Sequence, residues 1–308
     1  MRLQQASALT LSLVNITATR SRRTVPQSFS NFKVNPISNA FGCSTIMPLS
    51  IENIKNQSSD AKNSAKPMDW ISLNSEKSEM QLVKVSEVEW VETSQAGGVH
   101  RKMIERLGGE VARATTVVKF DPDQAFPRHS HAGGEEFLVL DGVWRDDYGS
   151  FSKYSYIRNY IGSGHTPSIG PEGCIILVKL RQMSLLSENE PEHRNWPELT
   201  PAKIWAIGEP YSSDKAKRLA LFSSELEKTA VHVWSNNSSI TLEIPANGME
   251  IFVVDGVFSS DLGIHDKWSW CRIPNDSNAN IKFEVKTQDA DTYVWTKEGH
   301  LASDEVGV

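Results

Sequence analysis

The sequence predicts an all-β protein made of two successive sandwich or barrel domains behind a disordered N-terminal extension. Two observations carry this reading. From Trp70 onward, short apolar runs broken by Gly, Pro, Asp and Asn recur with almost no helical periodicity, the pattern of a β-sandwich or barrel. The second half also repeats the first at a fixed offset of 114 residues, Gly134 falling on Gly248. Gly134-Glu135-Glu136-Phe137-Leu138-Val139-Leu140-Asp141-Gly142-Val143-Trp144 aligns with Gly248-Met249-Glu250-Ile251-Phe252-Val253-Val254-Asp255-Gly256-Val257-Phe258, and Tyr156 and Arg158 align with Trp270 and Arg272. A repeat this long means two copies of one domain, each large enough for its own core. The expected division is an extension over 1–66, a first domain over 67–190, a linker over 191–214 and a second domain over 215–308.

Composition sets the outer limits. The chain has 308 residues, of which 39% are apolar, including nine Trp and eleven Phe that suit a β-rich interior. A net charge of -6 and the lack of a basic stripe in the body argue against nucleic acid as the main partner. The three cysteines, Cys43, Cys174 and Cys271, form no Cys-x-x-Cys pair and no disulfide framework. They point to a reducing compartment, with Cys174 and Cys271 as small buried hydrophobes and a metal-ligand or redox role as the alternative.

Residues 1–66 differ from the rest. Glu52 is the first acidic residue, and before it stand Arg2, Arg20, Arg22, Arg23, Lys33 and eight serines. Basic, Ser-rich and acid-free is the composition of a transit peptide, so import into a mitochondrion or plastid is expected. A secretory signal over Ala6–Ala18 and an unaddressed extension on a cytoplasmic protein are the alternatives. The Ala6–Ala18 run is too short and too polar to span a membrane, and no membrane partner is expected. Val83, Val85, Val88, Trp90 and Val91 then suggest a first strand, Glu105–Gly109 a turn, and Val111–Phe120 a strong strand ended by Asp121-Pro122-Asp123. Glu136–Leu140 is a strand closed by Asp141-Gly142, a hairpin signal, with Val143-Trp144 starting the return. Asp146–Gly149 reads as a turn, Tyr154–Arg158 and Cys174–Leu180 as strands, and Pro191, Pro197, Pro201 and Pro210 mark the connection between the halves.

The chemistry concentrates in Arg128-His129-Ser130-His131-Ala132-Gly133-Gly134-Glu135-Glu136. Histidines at i and i+2 on a strand share a face. A carboxylate four residues on can join them if the chain bends, which Gly133-Gly134 permit. A third histidine, His165, lies in the turn-rich Gly162-Ser163-Gly164-His165-Thr166-Pro167. Imidazoles with a carboxylate suit a first-row divalent metal. In the second copy the four positions read Glu243, Pro245, Met249 and Ala279, so the strands do not depend on them. His100, His193, His232, His265 and His300 are scattered and read as surface or hydrogen-bonded histidines. Tyr156 and Arg158 read as structural because the second copy repeats them. Phe126, Phe137, Trp144 and Tyr160 read as core, or as an apolar lining near the metal.

His-x-His, Glu and Gly142, followed by Gly-Ser-Gly-His, resemble the two motifs of the cupin superfamily. The wider stretch through Glu172–Leu180 is similar to the ChrR-like cupin branch, which includes 2,4'-dihydroxyacetophenone dioxygenase-like and acetylacetone dioxygenase-like proteins. The resemblance covers about residues 80–183, and about 215–301 as a degenerate copy. It implies tandem double-stranded β-helix (jelly-roll) barrels, a bicupin, with His129, His131, Glu135 and His165 as metal ligands and no catalytic residue assigned beyond them. It implies one divalent ion, Fe2+ or Zn2+ ahead of Mn2+, Ni2+ or Cu2+, and a non-haem oxygenase using O2 on a diketone- or hydroxyketone-like small molecule. The alternatives are a non-catalytic zinc-binding sensor or stress-response module and a structural bicupin with a relic site. Residues 1–79 contain no His and only Cys43, so the zinc-binding anti-sigma domain of ChrR proteins is absent from them. Tyr160 stands where the second motif usually has Pro, which is expected to loosen the loop holding His165. Cupins often form homodimers, although a two-copy chain can satisfy that pairing internally.

Overall fold

Each half of the repeat folds into an antiparallel sheet, and the same strand order recurs in both. The computed structural model describes residues 69–93, 97–109, 111–183, 193–275 and 279–301. The extension 1–66, with the import reading and Cys43, lies outside these residues. In the first sheet the order is Ile71–Leu73, Val99–Gly108, Ala112–Phe120, Ser168–Leu180, Glu135–Asp146, Tyr156–Asn159 and Arg194–Trp196. In the second it is Glu209–Tyr211, Ser213–Ser223, Lys228–Trp234, Thr292–Glu298, Met249–Asp255, Ser269–Ile273 and Gln81–Lys84. A small sheet of His129–Ser130 and Gly164–His165 completes the first barrel. Four strands, Ser239–Ile244, Ile281–Thr287, Phe258–Ser260 and Gly263–His265, complete the second. No helix among the described residues is long and apolar enough to cross a membrane.

The run Glu135–Leu140 explains the layering. Its residues are all buried, so period-2 alternation divides them between two interiors rather than between core and water. Phe137 and Val139 join Ile157, Ile169 and Ile176 inside the first barrel. Leu138 and Leu140 face the other way, into a cluster with Phe252, Val254, Trp270 and Trp295 of the second half. The second barrel fills its own interior with Trp234, Ile251, Val253 and Phe258. Three apolar cores result, one per barrel and one between the barrels. Truncating a fully buried residue such as Leu138 to Ala would cost about 2–5 kcal/mol.

Charges also cross the inter-barrel layer, in pairs that the repeat relates. Lys297 of the second half binds Glu136 of the first, and Lys179 of the first binds Glu250 of the second at 2.6 Å. Tyr156 donates its hydroxyl to Glu136 at 2.6 Å, and Trp270 its indole N–H to Glu250 at 3.1 Å. Arg158 spans Glu136 at 3.3 Å and Glu227 at 2.7 Å. Burial alone would raise the Glu136 carboxyl, but Lys297, Arg158 and the hydrogen bonds hold it at about 2. Glu136 thus faces away from its neighbour Glu135, as strand alternation predicts.

The structure differs from the sequence expectations in four places. Glu105–Gly108 continues the strand Val99–Gly108 instead of turning, because Glu105 is buried against Arg113 at 3.1 Å. The strand Glu135–Asp146 runs through Asp141-Gly142 without a hairpin. It bends there, with Gly142 at φ +70° and so close to its neighbour that a Cβ would lie 2.2 Å from the Gly173 carbonyl oxygen. The expected single strand over Val83–Val91 is two, Gln81–Lys84 and Val91–Glu92, in different barrels. The expected linker 191–214 is structured where described. Arg194–Trp196 pairs with Tyr156–Asn159, and a helix, Pro201–Ile207, follows, capped by the Thr200 side chain and buried through Ile204. Each barrel therefore takes its last edge strand from chain outside its own repeat.

Candidate metal centre

The two-stranded ladder brings the histidines together. His165 is the cross-strand partner of His129, so their side chains stand side by side on one face. His131 follows two residues after His129 on the same face, and its N–H is held by the Ser163 carbonyl at 2.9 Å. The chain then bends through Gly134, at φ +74°, where a Cβ would lie 2.2 Å from the Met183 sulfur. That bend starts the strand whose first residue is Glu135. The three rings stand edge-on to one another, with centroids 4.7, 4.9 and 5.1 Å apart. One donor nitrogen from each lies within 4.8 Å of the other two. The Glu135 Oε2 lies 3.5 Å from His131 Nε2 and 3.7 Å from His165 Nε2. All four sequence-predicted ligands thus meet at one place.

The surroundings fix which nitrogen faces inward. His129 donates Nδ1–H to the Pro127 carbonyl at 3.1 Å, and His165 donates Nδ1–H to Asp146 at 3.0 Å. The Nε2 lone pairs remain for a ligand. Asp146 also accepts from the Trp144 indole at 3.0 Å and the Tyr148 amide at 2.9 Å. Burial would raise its carboxyl, but these hydrogen bonds outweigh it and hold the group ionised. Burial pushes the His131 imidazole down against the pull of Glu135, with His165 and His129 adding to the fall. The neutral form that binds metal is therefore favoured. Asn159 holds Glu135 Oε2 at 2.8 Å, and His193 donates to the Asn159 oxygen at 2.8 Å. His193 in turn lies against Tyr148 and Tyr160.

A divalent cation fits this donor set. Among the described residues, the buried Nε2 atoms of His131 and His165 have no hydrogen-bond partner. Buried polar atoms are rarely left so, and an ion would satisfy both, with Glu135 offsetting part of its charge. The site opens into a cavity of about 510 Å³ lined by His129, His131 and Glu135, and by Phe126 and Trp144 as the apolar-lining alternative expects. Phe137 sits behind Trp144, with ring centroids 4.9 Å apart, and Tyr160 lies beside His193. The turn from Tyr160 is closed by a 3.0 Å bond from Ser163 N–H to its carbonyl.

The other scattered histidines are hydrogen-bonded: His100 to Asp121, His232 to Thr296, His265 to Ser260 and His300 to Glu250. Where Glu135 stands in the first barrel, buried Met249 fills the second, and His265 stacks on Phe258 at 4.2 Å. Cys174 and Cys271 are buried free thiols. Asp146, Asn159 and His193 were not evident as site residues in the sequence. Asp146 reads there as a turn residue, although it and Asn159 become Ser260 and Ile273 in the copy that lacks the ligands.

Two antiparallel barrels with histidines gathered in one of them define a two-barrel protein of the jelly-roll class with a candidate metal site. Residues 78–184 match the family of the ChrR cupin-like domain. A candidate dioxygenase from Nostoc punctiforme shares the fold at 11% identity and a TM-score of 0.52, over 75% of this chain and 87% of that one. The protein YlbA from E. coli does so at 12% identity and 0.51, over 77% and 96%. The pirin YhhW from Escherichia coli, in complex with nickel(II), does so at 11% identity and 0.50, over 72% and 99%. At these identities the likeness is one of fold. No curated protein sequence matches the chain.

Proposed function

We propose that the first barrel holds one divalent ion on His129, His131, His165 and Glu135, and that the protein is a non-haem metal-dependent oxygenase of a small diketone- or hydroxyketone-like molecule. The observation that carries this reading is the cavity of about 510 Å³ opening onto the histidines, a volume suited to a small organic ligand. When bound, the ion supplies Lewis acidity and, as Fe2+, access to oxygen chemistry. The chain supplies the rest. Asp146 and the Pro127 carbonyl hold His165 and His129 in the ligating tautomer. Asn159 fixes the Glu135 carboxylate, and Phe126 and Trp144 keep water from one side of the bound molecule.

The test is elemental analysis of the full chain purified without added metal or chelator, beside His131→Ala, followed by oxygen uptake with a panel of β-diketones and hydroxyketones. Near-stoichiometric iron, absent from the variant, together with substrate-dependent oxygen uptake, is the expected result. Equal metal in both proteins overturns the ligand assignment. Iron-loaded protein that consumes no oxygen with any panel member overturns the oxygenase reading, and tightly held zinc with no uptake favours the sensor alternative.

A further inference from the structure

Two irregularities in the backbone bring arginines into the apolar cavity of the first barrel. Arg101 and Arg106 are five residues apart on the strand Val99–Gly108, a spacing that regular alternation would send to opposite faces. The pairing of this strand with Ala112–Phe120 shifts register between Met103 and Glu105, and both arginines line the cavity. A bulge re-aims the side chains beyond it in this way. Arg181 follows Leu180, and both line the cavity although they are adjacent in sequence. Arg181 adopts φ +56°, which breaks the alternation there. Left-handed backbone at a residue other than glycine is uncommon and gathers at functional sites.

Away from the histidines and Glu135 the lining is largely apolar, with Val118, Phe120, Phe126, Trp144 and Ile176 beside Thr93 and Thr116. Among the described lining residues the only carboxylate is Glu135, which Asn159 holds beside the histidines. Arg106 is 4% exposed and also donates to the Gly109 carbonyl. Arg106 pairs with Ala114 as Ser223 pairs with Lys228 in the second copy, so the counterpart is Ser223 and the repeat does not require the arginine. Guanidinium groups beside an apolar wall recognise a carboxylate on an apolar body, because the planar fork matches the carboxylate and its weak hydration lowers the cost of burial.

We propose that this cavity binds a small organic acid, its carboxylate met by the arginines at Arg101, Arg106 and Arg181 and its apolar body by the aromatic and aliphatic wall. The inference rests on the oxygenase reading only in taking this cavity as the substrate site; it adds a carboxylate to the substrate.

Isothermal titration of the full chain, as purified and after chelator treatment, tests the proposal. The probes are 3-phenylpropanoate and 4-methylpentanoate, each against its neutral amide. Both acids are expected to bind about tenfold or more tightly than their amides, with or without chelator. Arg101→Gln, at a part-exposed position, and Arg106→Gln are each expected to remove about tenfold of acid affinity and leave the amides unchanged. Arg106→Lys is expected to recover part of the loss. Equal binding of acids and amides, unchanged acid affinity in Arg101→Gln, or no binding of either acid overturns the proposal. Metal content of the same samples separates the two readings. Metal without acid preference sinks only this inference, and acid preference in a protein that never holds metal sinks only the oxygenase.

Discussion

Replacing Asp146 by Asn tests whether this carboxylate sets the donor nitrogen of His165. One Asp146 oxygen accepts from both His165 Nδ1–H and Trp144 Nε1–H at 3.0 Å, and the other accepts from the Tyr148 N–H at 2.9 Å. An Asn has one oxygen for these two places. If its oxygen serves Tyr148, its NH2 faces His165 and pushes the imidazole proton to Nε2, which removes the lone pair aimed at the metal. If its oxygen serves His165, the NH2 opposes the Tyr148 N–H. Either way a hydrogen bond to a charged group is lost, worth about 1.5–3 kcal/mol, and partners of this kind tune metal affinity by about 10- to 100-fold. The two ranges agree, since tenfold corresponds to about 1.4 kcal/mol. Competitive titration of Zn2+ or Fe2+ against a chelator of known affinity should therefore show Asp146→Asn binding about 10- to 100-fold more weakly. Asp147→Asn is the control, because Asp147 binds Arg128 and Thr166 at the surface and should leave affinity unchanged. A change below about threefold in Asp146→Asn, with the metal-free variant folded by circular dichroism, would refute the tautomer argument.

His193→Phe keeps the ring against Tyr148 and Tyr160 but frees the Asn159 amide to turn its oxygen toward Glu135; metal affinity should fall by about tenfold in the same titration, and parental affinity would remove His193 from the site. Lys297→Met leaves Glu136 and Glu227 sharing Arg158 inside the inter-barrel layer. Urea unfolding should show a loss of about 3–5 kcal/mol, partly recovered by adding Glu136→Gln, whereas a loss under about 1 kcal/mol would mean the pair contributes nothing. Stability of the metal-free protein should also fall with acid in two overlapping windows. Burial depresses His232 from 6.5 to about 3, so the unfolded chain takes the proton first; this stability is complete above pH 6.5 and lost as pH falls toward about 3. Glu136, held from 4.5 down to about 2, contributes stability that is complete above pH 4.5 and lost as pH falls through about 2. His232→Phe should shrink the first window, leaving the part that belongs to His265, which burial lowers from 6.5 to about 4, and stability that does not decline between pH 7 and 5 would contradict the assignment.

The repeat made the two barrels legible, and the ligand set was legible because identical strands could be compared with and without it. The remainder was hidden for physical reasons. Glu105, Arg106 and Arg158 carry charges that look like surface residues in a sequence, yet they lie inside, and Arg158 meets Glu227 and Glu105 meets Arg272 from far away in the chain. The bulge that sends Arg106 into the cavity is a property of pairing with another strand, and no local pattern announces it. The exchanged edge strands Gln81–Lys84 and Arg194–Trp196 are short segments whose partners local periodicity cannot name. Asp146 and Asn159 were within reach, since the 114-residue offset turns them into Ser260 and Ile273 in step with the loss of the ligands.

Adjacent residues on one strand explain how a barrel without ligands bears on a barrel that has them. Glu135 enters the cavity and Glu136, one residue on, enters the layer between barrels. The second barrel reaches Glu136 through Lys297 and Thr229, while Tyr156 and Arg158 bind it from the neighbouring strand Tyr156–Asn159. That neighbouring strand ends in Asn159, which grips Glu135. The backbone that sets the carboxylate at the histidines is thus anchored on its far side by a buried ion-pair network, where a shift of one residue would move both glutamates to the wrong face. The second barrel, its interior packed around Met249 and Phe258, contributes to the site by holding that strand in register.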